Sequence, residues 1–122
     1  MSAGYIDTSF LLSILLEDEN FEKSVDCWSS LEHMYSSVLL EIESRISFHR
    51  YSKETSQSKK WYREKEQELQ ELLTAINRRT VDEEIVNEIK NGDQLKQARS
   101  PDGIHLATAN IVNKLSPDKL LL

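Results

Sequence analysis

Apolar residues along the chain fall into short blocks with two different spacings. Gly4-Tyr5-Ile6 reads as a brief strand. Asp7-Thr8-Ser9 follows, and then the apolar run Phe10 to Leu16. This is a strand that passes into a helix with an acid at the junction. Phe21, Val25, Trp28 and Leu31 recur at i, i+4, i+7 and i+10, one stripe of an amphipathic helix. Met34-Tyr35-Ser36 reads as a second strand, and Ser37 is placed to cap a helix from Val38 to Tyr51. Leu39, Ile42, Ile46 and His49 mark the side of that helix expected to be buried. Polar residues from Lys53 to Lys60 break the pattern, and Trp61 to Ile76 then reads as a long helix. Only its second half carries a stripe, Leu69, Leu72, Leu73 and Ile76. The first half, Trp61 to Glu68, is charged all round apart from two aromatics, which predicts a helix end that projects or meets a partner. Arg79-Thr80-Val81 is a candidate third strand. Asp82 then caps a helix bearing Ile85, Val86 and Ile89, stopped by Asn91-Gly92. Ser100-Pro101-Asp102 is a helix start with a serine cap, a proline and a first-turn acid. That helix carries Ile104, Ala107, Ile111 and Leu115 on one face, and Ser116-Pro117 ends it. Leu120-Leu121-Leu122 begins another apolar run.

Strands alternating with helices predict an α/β fold with a parallel sheet covered on both faces. The chain of 122 residues is expected to form one domain, 1–122. Hydrophobic residues at 39% and charged residues at 30% predict a globular chain. No apolar run approaches the ~20 residues of a membrane span, and the first residues lack the pattern of a secretory signal. Cys27 is the only cysteine, which excludes an intramolecular disulfide and a cysteine-rich zinc site. A cytoplasmic location is the corresponding expectation. With only three glycines there is no glycine-rich phosphate loop. A net charge of −6 disfavours binding nucleic acid over the whole surface. It leaves room for an enzyme whose bound metal ions reverse the local charge.

Three acids share a local context. Asp7 follows a strand, Glu41 lies one turn into a helix that follows a strand, and Asp102 lies in the first turn of a helix. In a parallel sheet, residues just after strands gather at one edge. Each acid also has a plain structural role open to it: Asp7 as a cap, Glu41 as an i+4 partner of Arg45, Asp102 as a dipole-complementing acid. Carboxylates gathered at one edge are suited to hard cations such as Mg²⁺. Two such ions activate a water and stabilise the leaving oxygen of a phosphodiester. Glu43 rivals Glu41, but two residues rotate a helix by about 200°, so only one of them can face the site.

Three segments resemble the PIN domain family, especially the VapC-type toxins of bacterial toxin–antitoxin modules. They are Tyr5-Ile6-Asp7-Thr8-Ser9, Ser37-Val38-Leu39-Leu40-Glu41-Ile42 and Ser100-Pro101-Asp102-Gly103-Ile104-His105-Leu106-Ala107-Thr108-Ala109. The resemblance implies a three-layer α/β/α sandwich that cleaves RNA with Mg²⁺ or Mn²⁺. By position it makes Asp7, Glu41 and Asp102 the catalytic metal ligands and Ser9 the hydroxyl that supports Asp7. His105 is read as a packing or hydrogen-bonding residue. The resemblance further implies a cognate antitoxin and a homodimer, which an exchanged element could join.

Two features depart from the family pattern. Gly103 stands where the family usually has alanine. The family often has a fourth acid just after the last strand, whereas Asp118 precedes it, so the C-terminal strand is expected to be incomplete. The leading expectation is a metal-dependent endoribonuclease toxin. The alternative is a degenerate or truncated PIN module that binds RNA or protein without efficient cleavage. Lys59, Lys60, Trp61 and Arg63 mix basic and aromatic character, as single-stranded RNA contacts do.

Overall fold

The first strand, β1 (Ala3–Tyr5), is an inner strand of the sheet. A computed structural model describes residues 2–115 and 120–121 of the chain. Strands β2 (His33–Ser37), β3 (Asn77–Arg79) and β4 (Leu120–Leu121) complete a four-stranded sheet in the order β3-β2-β1-β4. All pairings are parallel, with Ala3 opposite His33 and Leu120, and Tyr35 opposite Asn77. Parallel strands need crossovers, which the seven helices among the described residues provide: α1 (Thr8–Leu16), α2 (Phe21–Ser30), α3 (Leu39–Glu54), α4 (Lys59–Thr74), α5 (Glu83–Asn91), α6 (Asp93–Gln97) and α7 (Ser100–Leu115).

The helices fall into two groups with separate cores. Leu11 and Leu15 of α1, Leu40 and Phe48 of α3, and Leu69 and Leu73 of α4 cluster with Ile6. Ile85, Leu95, Ala107 and Ile111, from α5, α6 and α7, form the second cluster. Successive residues of extended chain point to opposite faces. Ile6 joins the first core, while the Tyr5 ring meets His105 on α7. The expected α/β/α arrangement is therefore present.

Three features differ from the reading of the pattern. The buried side of α3 is Leu40, Ser44, Phe48 and Ser52. The expected markers Ile42 and Ile46 are instead 52% and 55% exposed. Serine can replace an apolar residue here because its hydroxyl bonds back to the helix: Ser44 Oγ donates to the Glu41 carbonyl at 3.2 Å and Ser52 Oγ to the His49 carbonyl at 2.7 Å.

The first half of α4 does not project. Phe48 meets the rings of Trp61 and Tyr62 at centroid distances of 5.8 and 4.8 Å. Lys65 Nζ donates to the Leu15 carbonyl at 2.8 Å and lies 3.3 Å from Glu17. Helix α1 ends there, with Glu17 left-handed at φ 52°, so a terminal carbonyl without a helical partner is satisfied by the lysine.

Strand β3 lies two residues earlier than expected, and α6 was not foreseen. Helix α7 starts at Ser100, which is already helical. The Arg99 carbonyl, not the serine side chain, accepts from Gly103 N at 2.8 Å.

Candidate active site

Asp7 follows β1 directly. Its backbone is extended, and Oδ1 accepts from Phe10 N at 2.8 Å, capping α1. The residue is exposed. The capping role is thus real and leaves Oδ2 without a hydrogen bond among the described residues. Ser9, expected to support Asp7, does not bond to it. Both line a groove of about 460 Å³ that runs along α1 and α2 to Lys23.

The two glutamates of α3 are turned apart. Glu41 pairs with Arg45 Nε at 2.8 Å and with the Arg78 guanidinium. The Arg45 hydrogen bond holds its carboxyl below the usual range, against partial desolvation, with the charges of Arg45 and Arg78 adding to the effect. Glu43 instead reaches the segment after β1. Its Oε1 accepts from Thr8 Oγ1 at 3.2 Å and lies 2.6 Å from His105 Nε2. The expected orientation, with Glu41 toward the acids and Glu43 away, is therefore reversed. The cause is the phase of α3: with Leu40, Ser44 and Phe48 inside, Glu43 and not Glu41 flanks α1 and α7.

Asp102 lies exposed in the first turn of α7 and makes no hydrogen bond or ion pair among the described residues. His105 follows three residues later, on the same face of the helix. Its Nδ1 lies 2.7 Å from the Tyr5 hydroxyl, and the two rings meet edge to face at 5.8 Å. Burial pushes the Tyr5 phenol up to about 12. Tyr5, Thr8, Glu43 and His105 thus join β1, α1, α3 and α7 at the end of the sheet where Asp7 sits. Tyr5 and Thr8 carry no chemistry in the sequence pattern that marks them as part of a site. The available signal was position: each adjoins the Ile6-Asp7 step at the end of β1.

Other candidates are placed elsewhere. Trp61 packs against Phe48 and Tyr51 of α3 and is half-buried. Lys59, Lys60 and Arg63 are exposed at the start of α4. That end packs beside the C-terminal half of α3, where Tyr62 Oη lies 3.1 Å from His49 Nδ1. Lys53 of α3 lines a shallow pocket there with Lys59. Lys53 is ten residues from Glu43, about 15 Å along the helix. Asp118 lies outside the described residues.

Among the described residues no three His, Cys, Asp or Glu side chains close on one point as a metal cage would require. The donor chemistry still fits a hydrated hard cation. Mg²⁺ commonly takes one or two carboxylates and keeps several waters. Asp7 Oδ2, Glu43 Oε2 and the Asp102 carboxylate are oxygen donors with no other hydrogen bond among the described residues. No helix among the described residues is long and apolar enough to cross a membrane.

The profile of a family described as the PIN domain matches residues 4–115 of the chain. No curated protein matches it.

Proposed function

Because this chain belongs to the PIN domain family, whose members are generally metal-dependent nucleases, we propose that it is a Mg²⁺- or Mn²⁺-dependent endoribonuclease and the toxin of a toxin–antitoxin pair. The observation that carries the reading is the junction of Thr8, Glu43 and His105. It brings the residue after Asp7, an acid of α3, and the helix whose first turn carries Asp102 into direct hydrogen-bonded contact.

Asp7, Glu43 and Asp102 would hold a divalent ion, which would supply Lewis acidity toward a phosphodiester and lower the pKa of a water. Asp7 offers Oδ2 while Oδ1 stays on the Phe10 amide. Glu43 offers Oε2 while Oε1 is held. Asp102, in the first turn of α7, offers its carboxylate to solvent. Lys23, in the groove that also holds Asp7, is a cation for a neighbouring phosphate of the strand.

The expected partners are RNA, a cognate antitoxin that blocks the acids, and a second copy of the chain. The exposed Ile42 and Ile46 support the last, since one turn apart on α3 they form an apolar strip that is left about half uncovered among the described residues. A second reading is a PIN module that binds without cutting, favoured by the open, uncaged arrangement of the acids.

One assay separates the two. Purified chain is mixed with single-stranded RNA and Mn²⁺, with and without chelator. Chelator-sensitive cleavage that Glu43→Gln abolishes is expected. RNA retention without cleavage would establish the second reading.

A further inference from the structure

We infer that Tyr5 and His105 are positioning residues that clamp Glu43 by one carboxylate oxygen, leaving the other to the ion. The inference rests on the reading of Asp7, Glu43 and Asp102 as ion-binding carboxylates.

An ionised Glu43 only accepts hydrogen bonds, so the nitrogen 2.6 Å from its Oε1, His105 Nε2, carries the proton. In a neutral ring Nδ1 is then an acceptor, and the Tyr5 hydroxyl 2.7 Å away is its donor. The two other hydroxyls that bond the Tyr5 phenol, Ser36 and Thr108, give their own protons elsewhere. Ser36 Oγ donates to the Ile6 carbonyl and Thr108 Oγ1 to the Ile104 carbonyl, each at 2.7 Å.

Thr8 Oγ1 adds a second bond to the same Glu43 oxygen at 3.2 Å. Both bonds fall on Oε1, and Oε2 takes none among the described residues. The clamp is shielded while its load is open: the His105 side chain is 15% exposed and that of Glu43 33%. A carboxylate on a rotatable stem is thereby held in one orientation before an ion arrives. Outer-sphere hydrogen bonds of this kind typically set metal affinity by ~10–100-fold.

Mn²⁺ titration calorimetry on the intact chain tests this, with melting of each metal-free variant recorded in parallel. His105→Leu should weaken Mn²⁺ binding by ~10–100-fold. His105→Gln, whose amide can still donate to Oε1, should recover most of it. Tyr5→Phe should weaken binding by a smaller factor. In the metal-free wild type, ¹⁵N shifts of the His105 ring should place a proton on Nε2, and Tyr5→Phe should erode that bias.

Wild-type Mn²⁺ affinity in His105→Leu, alongside loss in Glu43→Gln, overturns the clamp and leaves the site intact. So does equal loss in His105→Gln and His105→Leu, which marks a purely structural histidine. If His105→Leu does not fold, unchanged affinity and tautomer in Tyr5→Phe overturn it. A wild-type chain that binds no Mn²⁺ overturns both the clamp and the ion-binding reading.

Discussion

Asp7 has two roles that different substitutions can separate. Its Oδ1 caps α1 through the Phe10 amide, and its charge serves the proposed ion. Asp7→Ala removes both. Losing an N-cap acceptor costs about 1 kcal/mol, within a range of ~0.5–2. For a domain of this size 1 kcal/mol corresponds to a fall in Tm of about 4 °C. Asp7→Asn keeps an equally good cap. It forfeits only the interaction of the charge with the helix N-terminus, ~0.3–1 kcal/mol at an exposed site. Relief of repulsion from any nearby acid opposes even that loss. In chelator, Asp7→Asn should therefore melt within about 2 °C of wild type and Asp7→Ala about 4 °C below it. Both variants should lose Mn²⁺ binding and RNA cleavage. Circular dichroism melts and calorimetry read the two roles independently. Equal melting of Asn and Ala variants would refute the cap, and wild-type Mn²⁺ affinity in Asp7→Asn would refute the ligand.

Further outcomes follow from other contacts. Glu41→Gln should leave Mn²⁺ affinity unchanged, since Glu41 faces Arg45 and Arg78; a loss equal to that of Glu43→Gln would restore the opposite orientation. Because Glu41 is held below its ordinary pKa, its stabilisation is present above the usual carboxylate range and lost as pH falls through the depressed value. Acid denaturation should accordingly be shallower in Glu41→Gln. Tyr5 has the opposite sign: with its pKa raised to about 12, its contribution is full below the ordinary tyrosine value of 10.0 and lost as pH rises toward 12. Tyrosinate absorbance should show one late-titrating phenol that Tyr5→Phe removes. Phe48→Ala empties the site between α3 and α4 and should cost ~3–5 kcal/mol by denaturant titration; a cost below 1 would mean that the Trp61 and Tyr62 contacts are not formed. Gly103→Ala should fail to give the gain of about 1 kcal/mol expected from helix propensity, because its Cβ would lie 3.2 Å from the Leu95 carbonyl.

The order of strands and helices was legible because the spacing of apolar residues changes at each junction. The phase of α3 was not. Reading Ile42 and Ile46 as core assumes that helices bury their branched apolar residues. Here two serines occupy that side, their hydroxyls satisfied by their own helix. That one rotation also misplaced the acid, since turning α3 exchanges the directions of Glu41 and Glu43. The docked start of α4 was hidden for a related reason. Its buried stripe runs from Trp61 through Lys65 to Leu69, and a lysine stem covers apolar surface while its amine finds the Leu15 carbonyl. Strand β3 has no apolar residue to announce it: Asn77-Arg78-Arg79 is a short polar edge, as edge strands often are. Asp7 and Asp102 stood out because acids at the starts of helices carry a local signal. The bridge between them did not, since nothing local relates Tyr5 to His105.

The pair Tyr5–His105 spans 100 residues of sequence, and His105–Glu43 spans 62. Contacts this distant in sequence form slowly, because the intervening chain must be ordered before they repay the cost of closure. During synthesis the chain leaves the ribosome with Asp7 and Glu43 long before α7 follows. Until that helix docks, Tyr5 has no imidazole to meet and Glu43 lacks its histidine partner. For a protein proposed to cut RNA this sets a time order. Asp7 and Glu43 are translated early, but Asp102 and the clamp on Glu43 come only with α7, so a partly made chain beside its own messenger is spared a finished nuclease.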